Sequence, residues 1–173
     1  MLNIAKSRCE KVEFRVGNVD EGFPHPNNFA NMLFCVDVIH HLTNLTMFFN
    51  ESYRMLKKSG ILIIVTDSED DIRGRSLSRY FPEVLNIELE RYPSIEELFR
   101  KTKTAGFKKF TREETSGYIK FDDEFIEKLE YKWSSALRLI SDDAHLRRIE
   151  RVKQAKLEGE EWLSRYTVLR FEK

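Results

Sequence analysis

Two uninterrupted apolar runs constrain the fold of this chain more than any other feature. They are "NMLFCVDVI" at residues 31–39 and "ILIIVT" at residues 61–66. Runs of this kind are typical of strands that are buried on both faces of a parallel sheet. Between them, apolar side chains recur at helical spacing: Leu45, Phe48, Phe49, Tyr53 and Leu56. A strand, a helix and a second strand form a βαβ unit, which predicts parallel strands joined by a right-handed crossover.

The composition predicts a single globular domain over residues 1–173. Hydrophobic residues make up 41% of the chain and charged residues 34%, so there is enough apolar mass for a core. Lys plus Arg and Asp plus Glu both number 29. This balance argues against a strongly basic nucleic-acid-binding protein.

Cysteine usage and hydropathy predict a cytoplasmic protein with no membrane partner. Cys9 and Cys35 are too far apart for metal-ligand spacing, so a reducing compartment is the simpler interpretation. No apolar run approaches the ~20 residues of a membrane span. The first residues, "MLNIAKSRCEK", lack the apolar core of a signal peptide.

Further segments extend the α/β pattern on both sides of the βαβ unit. "VEFRV" at residues 12–16 alternates apolar and charged side chains, which predicts a short strand followed by a loop. In the unit itself, the helix is predicted to close with the C-terminal signals Lys57, Lys58 and Gly60. Residues 67–81 are polar and predict a long connection with one helical turn.

The rest of the chain predicts two more strands and three helices. Ser94 and Glu97 have capping-box spacing at the start of a helix that ends at Gly106. Residues 107–121 alternate well enough for a strand. A helix then opens at Asp122 or Asp123 with an apolar stripe, a charged helix follows at roughly 142–158, and residues 164–173 predict a closing strand. The stripe consists of Phe125, Leu129, Trp133, Leu137 and Ile140.

Three motifs in order resemble one known family. Gly17-Asn18-Val19 forms a Gly-Asp-Ala-like turn, "FANMLFCVDVIHHL" follows a Pro-containing loop as a Phe-Asp-Val-Val-like strand, and "MLKKSG" is a Leu-Lys-Pro-Gly-Gly-like turn. At this spacing, over about residues 10–67, they resemble the second half of class I S-adenosylmethionine-dependent methyltransferases of the small-molecule (type 11-like) group. "SIEELFRKTKTAGF" is similar to the family's helix before its penultimate strand.

The resemblance implies a fold and a cofactor. The expected fold is α/β, a partial Rossmann-like sheet that is mostly parallel with an antiparallel final strand and helices on both faces. S-adenosylmethionine would lie at the carboxyl ends of the strands, where open α/β sheets generally bind ligands. The expected reaction is methyl transfer to a nucleophile on a small molecule.

The resemblance also implies the positions that face the cofactor. Residues 17–19 correspond to the turn at the adenine, and the end of the second strand corresponds to the segment along the methionine arm. The usual Asp of the turn is Asn18 here, which has lost the charge but can still hydrogen-bond an exocyclic amine. The six positions are Gly17, Asn18, Val19, Cys35, Val36 and Val38.

His40 and His41 correspond to a pair that opens the following helix near cofactor and substrate. Either one is a candidate general base, since histidine titrates near neutral pH, but adjacent side chains point in different directions. The alternative is a polar exit from the strand. His25 and His145 are remote in sequence and no cysteine is close, so no metal site is predicted.

Charged and aromatic side chains elsewhere are weaker candidates. The acids and arginines after the second apolar run are better explained as a solvated loop with internal charge neutralisation than as a substrate surface: Asp67, Asp70, Asp71, Arg73, Arg75 and Arg79. Tyr131 and Trp133 lie where insertions shape the substrate pocket in the family. The stripe around them is more typical of a core or interface than of a cofactor box.

Two diagnostic elements of the family do not occur in this sequence. They are a first strand with a Gly-x-Gly-x-Gly loop and a second strand ending in an acid that binds the ribose hydroxyls. In the family, these strands lie between the counterparts of residues 12–16 and residues 31–39. The strand at 31–39 is therefore predicted to be an apolar edge, a template for pairing with another chain.

Two functional hypotheses follow from this edge. The chain is either a truncated methyltransferase with an incomplete cofactor site, or a non-enzymatic module that self-associates through the exposed strand. Repair of the edge would come from residues 12–16 moving beside it or from a second copy in a homo-oligomer.

Overall fold

A four-stranded mixed sheet organises the computed structural model, which describes residues 2–9 and 11–173. The strands lie in the order β1-β2-β4-β3. β1 pairs with β2 in parallel, whereas β4 is antiparallel to both β2 and β3. Three strands therefore share one direction and the last is reversed, which confirms the predicted arrangement. The bounds are β1 Ala30–Val36, β2 Leu56–Thr66, β3 Lys109–Lys120 and β4 Glu161–Glu172.

The α-helices surround this sheet. They are α1 Leu2–Arg8, α2 Leu45–Met55, α3 Glu69–Gly74, α4 Ser76–Tyr80, α5 Val84–Arg91, α6 Ile95–Ala105, α7 Asp123–Glu130 and α8 Asp142–Leu157. Short 3₁₀ turns lie at Val19–Glu21, Ile39–His41 and Ala136–Leu139. Within the described ranges, no helix is both long and apolar enough to cross a membrane.

The βαβ unit forms, with two differences from the prediction: β1 ends at Val36 rather than at residue 39, and the helix ends earlier than its sequence signals indicated. Asn44 caps α2 by accepting a hydrogen bond from the Met47 N–H at 3.0 Å. The helix ends at Met55, and Leu56 already has extended backbone and pairs with Ala30. The predicted C-terminal signals at residues 57–60 belong to β2 instead, because pairing with β1 extends the strand backwards.

The helix α6 confirms its sequence signals at both ends. The Ser94 hydroxyl accepts a hydrogen bond from the Glu97 N–H at 3.1 Å. At the other end, Gly106 adopts φ +109 and its N–H bonds the carbonyls of Thr102 and Lys103. Only a residue without Cβ takes this backbone conformation at little cost.

Three predicted elements differ from the structure. Residues 13–18 form no strand, so they do not repair the edge of β1. The connection after β2 contains α3, α4 and α5 rather than a single turn. The stripe helix ends at Glu130, because Lys132 turns the chain at φ +50 and Trp133 is left 48% exposed. In segments of mixed polarity, the secondary structure depends on which side chains become buried in the fold. The hydrophobic periodicity of the sequence does not by itself predict that burial.

Two apolar clusters form the core. One joins β2, β4, α2 and α6 around Phe49, Leu98 and Phe171. The other joins α4, α5, α7 and α8 around Phe81, Leu137 and, on β4, Trp162.

The face of β1 turned away from α2 is exposed. Met32, Phe34 and Val36 are 52%, 73% and 49% accessible. They alternate along the strand, which places them on one face of the sheet. At the edge of β1 that faces away from β2, no strand among residues 2–9 and 11–173 pairs with it. The predicted apolar edge is thus present in this single chain.

Candidate functional site

A groove of about 580 Å³ runs along the free edge of β1, and we refer to it as the β1 groove. One wall is the loop of residues 15–25, and the other is β1 with part of α2. The lining is largely apolar, with Arg15 and His25 as its ionisable side chains other than Cys35. Its position follows from the fold, because the unpaired edge leaves room that a neighbouring strand would fill.

Arg54 and Glu51 of α2 anchor the far end of this loop. The Arg54 guanidinium donates to the carbonyl oxygens of Phe23 at 3.1 Å and His25 at 2.8 Å. Glu51 accepts from the Phe23 N–H at 3.1 Å and pairs with Arg54 at 2.7 Å. The hydrogen bonds from Arg54 lower the pKa of Glu51. An irregular segment is thereby held against the helix by main-chain contacts.

Asp20 anchors the middle of the loop, and it was not among the residues predicted from the sequence. Its carboxylate accepts from the Thr43 hydroxyl at 2.6 Å and from the N–H groups of Thr43 and Asn44, both at 3.2 Å. The Thr43 hydroxyl is the main cause of the lowered pKa of Asp20. An Asp just after the Gly-Asn-Val turn is the local signal, but its partner lies 23 residues away.

The structure brings together all six residues that the resemblance assigned to the cofactor. Asn18 does not present a free side chain, because its Oδ1 accepts from the Asp20 N–H at 3.1 Å and its amide donates to Glu21 at 3.0 Å. The turn that the resemblance places at the adenine therefore carries the N-cap of the 3₁₀ turn Val19–Glu21. The residues that line the β1 groove include Gly17, Asn18, Val19, Cys35, Val36 and Val38.

Cys35 contributes an apolar wall to the groove. Burial, with a smaller contribution from Asp37, raises the pKa of its thiol to about 12. The sulfur therefore stays protonated at neutral pH and is a poor nucleophile, since the thiolate is the reactive form.

A second cavity of about 270 Å³ lies beyond the carboxyl ends of β1 and β2, and we call it the acidic cavity. Asp37 directly follows β1 and Asp67 directly follows β2. Because parallel strands end at the same edge of a sheet, the two carboxylates converge. The lining comprises Asp37, His40, His41, Asp67, Arg75, Leu77, Glu88, Tyr92, Trp133, Ser134, Ser135 and Tyr166.

Arg75 lies at the centre of this cavity wall, between two buried carboxylates. Its guanidinium forms ion pairs with Asp67 and Glu88, whose side chains are 1% and 4% exposed. Burial raises the pKa of Asp67 to about 6, and the positive charge of Arg75 only partly opposes that rise. The predicted neutralisation of carboxylates by arginines thus holds for Arg75, but the pair is buried in a cavity wall rather than solvated.

Thr167, in the middle of β4, helps to fix this arrangement. Asp71 of α3 accepts hydrogen bonds from the Ser68 hydroxyl at 2.7 Å and from the Thr167 hydroxyl at 2.5 Å. Ser68 and Asp71 also form a capping box at the start of α3. The segment that carries Asp67 is therefore tied both to its own helix and to the neighbouring strand.

The two histidines line the acidic cavity rather than the β1 groove. The His40 ring stacks on Tyr92 at a centroid distance of 4.1 Å, and His41 lies 3.4 Å from Arg91. Burial and neighbouring positive charge lower the pKa of His40 to about 4, so its ring is neutral at pH 7. Its Nδ1 is buried with no hydrogen-bond partner among the residues that the structure describes.

Asp37 has an unusual backbone for its position. Its φ is +51, in the left-handed region, although it follows a strand directly. The Asp37 N–H donates to the Val65 carbonyl oxygen at 3.1 Å, which holds the turn. Strained non-glycine residues of this kind cluster at functional sites.

The weaker aromatic candidates separate in the structure. Trp133 lines the acidic cavity, whereas Tyr131 is 77% exposed and lies outside its lining. In the ranges 2–9 and 11–173, no cluster of three His, Cys, Asp or Glu side chains has a metal-binding arrangement.

Comparisons with known proteins address the family and the fold. Residues 1–64 match the family described as "Methyltransferase domain" (Methyltransf_11). No curated protein matches the chain in sequence.

Solved structures give the fold along the whole chain. A methyltransferase of Thermotoga maritima, described as a possible histamine N-methyltransferase, is 19% identical with a TM-score of 0.57, over 100% of this chain and 69% of that one. Phosphoethanolamine N-methyltransferase 2 of Haemonchus contortus, solved with phosphomonomethylethanolamine and S-adenosylhomocysteine, is 20% identical with a TM-score of 0.53, over 99% and 39%. The [4+2]-cyclase SpnF is 16% identical with a TM-score of 0.53, over 99% and 61%.

These likenesses define a class. The fold is that of the class I S-adenosylmethionine-dependent methyltransferases, and the chain resembles them in sequence over residues 1–64. The resemblance predicted from the motifs is therefore confirmed. At these identities the solved structures establish the fold alone, and a cyclase among them illustrates that this fold carries more than one chemistry.

Proposed function

We propose that this chain is a cytoplasmic, single-domain methyltransferase-like protein, residues 1–173, that takes part in methyl transfer from S-adenosylmethionine to a small molecule. The β1 groove would hold the cofactor and the adjoining acidic cavity would hold the acceptor. The observation that carries this proposal is the convergence of residues 17–19 with Cys35, Val36 and Val38 on one groove. These segments are remote in sequence, and the resemblance assigned both of them to the cofactor.

The residues present fit part of the cofactor. The apolar wall suits an adenine ring and a thioether arm, and backbone groups of the 15–25 loop are within the same groove. The carboxylate that usually accepts both ribose hydroxyls has no counterpart in the groove lining. We therefore propose that this chain alone carries an incomplete cofactor site and binds the cofactor weakly.

The roles of the chain's own residues follow from this placement. When bound, S-adenosylmethionine supplies an electrophilic methyl group. Val36 and Val38 would exclude water along its methionine arm, and the protonated Cys35 thiol would add an inert wall. His40 and His41 remain candidates for proton transfer, although the lowered pKa of His40 makes it a weak base.

Calorimetric titration with S-adenosylhomocysteine tests the cofactor site. We expect binding weaker than the micromolar range for the wild-type chain. Val36→Glu should abolish it, because the substitution places a charge on the groove wall. Val12→Glu is the matched control, since Val12 is similarly exposed (52% against 49%) and lies outside the groove lining. Absence of any wild-type binding at millimolar ligand would refute the proposal for this chain.

A second candidate function is a non-enzymatic module that self-associates through β1. The contrast between the two edges of the sheet favours it. The outer strand β3, "KFTREETSGYIK", exposes Tyr118 and Ile119 but also carries charged residues of the kind that protect an edge from pairing. In contrast, β1, "ANMLFCV", has no charged residue and exposes Met32, Phe34 and Val36. Light scattering after size exclusion separates the hypotheses: a dimer that Phe34→Glu dissociates supports the module, and a monomer at high concentration contradicts it.

A further inference from the structure

The acidic cavity has a negative charge balance. Asp37, Asp67 and Glu88 face it, and Arg75 is the one cation of fixed charge among its lining residues. Both terminal nitrogens of Arg75 are already engaged, one with each buried carboxylate, and only its Nε lacks a hydrogen-bond partner in the described part of the chain. An anionic group entering the cavity would therefore meet a guanidinium whose charge is already balanced by two carboxylates, together with the additional carboxylate of Asp37.

One oxygen in the wall has no partner. Asp67 is 1% exposed; its Oδ2 pairs with Arg75, whereas its Oδ1 has no hydrogen-bond partner within the described part of the chain. A buried acceptor left unsatisfied destabilises the fold, because it has lost its hydrogen bonds to water without gaining others. Such a group is expected to gain from a ligand that donates hydrogen bonds to it.

Aromatic rings form much of the remaining wall. Tyr92, Tyr166 and Trp133 line the cavity. His40 stacks on Tyr92 and the Arg75 guanidinium lies 6.0 Å from the same ring, so Tyr166 and Trp133 are the rings that a ligand would meet. Carboxylates combined with aromatic faces are a recognised environment for ammonium groups, which are attracted by both. The same rings offer apolar surface to a small hydrocarbon substituent.

We propose that the acidic cavity binds the protonated amine of a small molecule that also carries an apolar or aromatic group. Asp67 Oδ1 and Asp37 receive its N–H groups, and the aromatic wall receives its apolar part. This proposal names the class of methyl acceptor for the acidic cavity, so the interpretation of the bound amine as a substrate rests on the proposed function. The binding itself needs no cofactor.

The test is a titration of the intact chain with 2-phenylethylamine, with 2-phenylethanol as a neutral analogue of similar shape. Trp133 lies in the cavity wall and is 48% exposed, so its fluorescence reports ligand entry. Trp162 is 3% exposed in the core and reports folding. We expect the amine to bind at least about tenfold more tightly than the alcohol. The fluorescence change on amine binding should disappear in Trp133→Phe.

Asp37→Asn is the decisive variant. Asp37 is exposed and Asn tolerates its left-handed backbone, so the fold is expected to persist. Amine affinity should fall about tenfold while alcohol affinity stays unchanged. Asp70→Asn, an exposed Asp of α3 outside the cavity lining, is the matched control and should bind the amine as wild type does.

The outcomes distinguish the two proposals. Equal binding of amine and alcohol, or an unchanged amine affinity in Asp37→Asn, would overturn the amine site even if S-adenosylhomocysteine binds the β1 groove. Selective amine binding without any cofactor binding would sustain the site and refute methyl transfer. If Asp37→Asn fails to fold, wild-type titration in high salt decides the question, because screening should weaken amine binding alone.

Discussion

A pair of phenylalanines gives the most direct test of whether this chain stands alone in solution. Phe49 of α2 is 0% exposed, whereas Phe34 of β1 is 73% exposed on the open face of the sheet. Replacing a buried Phe by Ala commonly costs about 3–5 kcal/mol, since apolar contact is lost and a cavity remains. With roughly a quarter of its surface buried, Phe34→Ala should cost less than about 1 kcal/mol.

Urea denaturation followed by Trp162 fluorescence and by far-UV circular dichroism measures both changes. We expect Phe49→Ala to lower the midpoint strongly and Phe34→Ala to leave it nearly unchanged, with similar m-values in both. The measurement is repeated at several protein concentrations. A loss of more than about 2 kcal/mol for Phe34→Ala, or a midpoint that rises with concentration, would show that the face is covered in solution and would refute the argument from exposure.

Three further predictions follow from particular residues. Gly106→Ala should destabilise by about 2 kcal/mol in urea denaturation, because its φ is +109 and a Cβ would lie 2.9 Å from a tyrosine ring; Gly117→Ala, with nothing within 4 Å and no positive φ, should be neutral or slightly stabilising. In an NMR pH titration, His40 should stay neutral down to about pH 4. Since that value lies below the ordinary 6.5, its contribution to stability is complete above about pH 6.5 and is lost as the pH falls towards 4; titration near 6.5 would contradict its burial. Asp20→Ala should speed amide hydrogen exchange in the 15–25 loop by removing the bonds to Thr43, and unchanged exchange would mean that other contacts fix the loop.

The local sequence determined the strands and helices that are defined by a short apolar pattern or by a cap within one turn. The apolar run of β1, the run of β2 and the helical spacing between them predict a βαβ unit, because continuous apolar segments on both sides of a helix are typical of neighbouring strands in a parallel sheet. The caps of α6 are equally local, since Ser94 and Gly106 act within one turn of the helix. The motif order was sufficient to identify the fold class.

Tertiary structure decided the features whose energy comes from distant partners. Residues 12–16 alternate like a strand, yet a strand needs a neighbour to pair with, and none of the described residues provides one. The local sequence around Arg75 is typical of a charged surface loop. The fold instead places Arg75 between Asp67 and Glu88, which are 8 and 13 residues away in the sequence. The hydrophobic pattern of a sequence indicates which residues avoid water. Which buried charges pair with each other depends instead on which segments the tertiary fold brings together. That is why the acidic cavity emerged only from the folded arrangement.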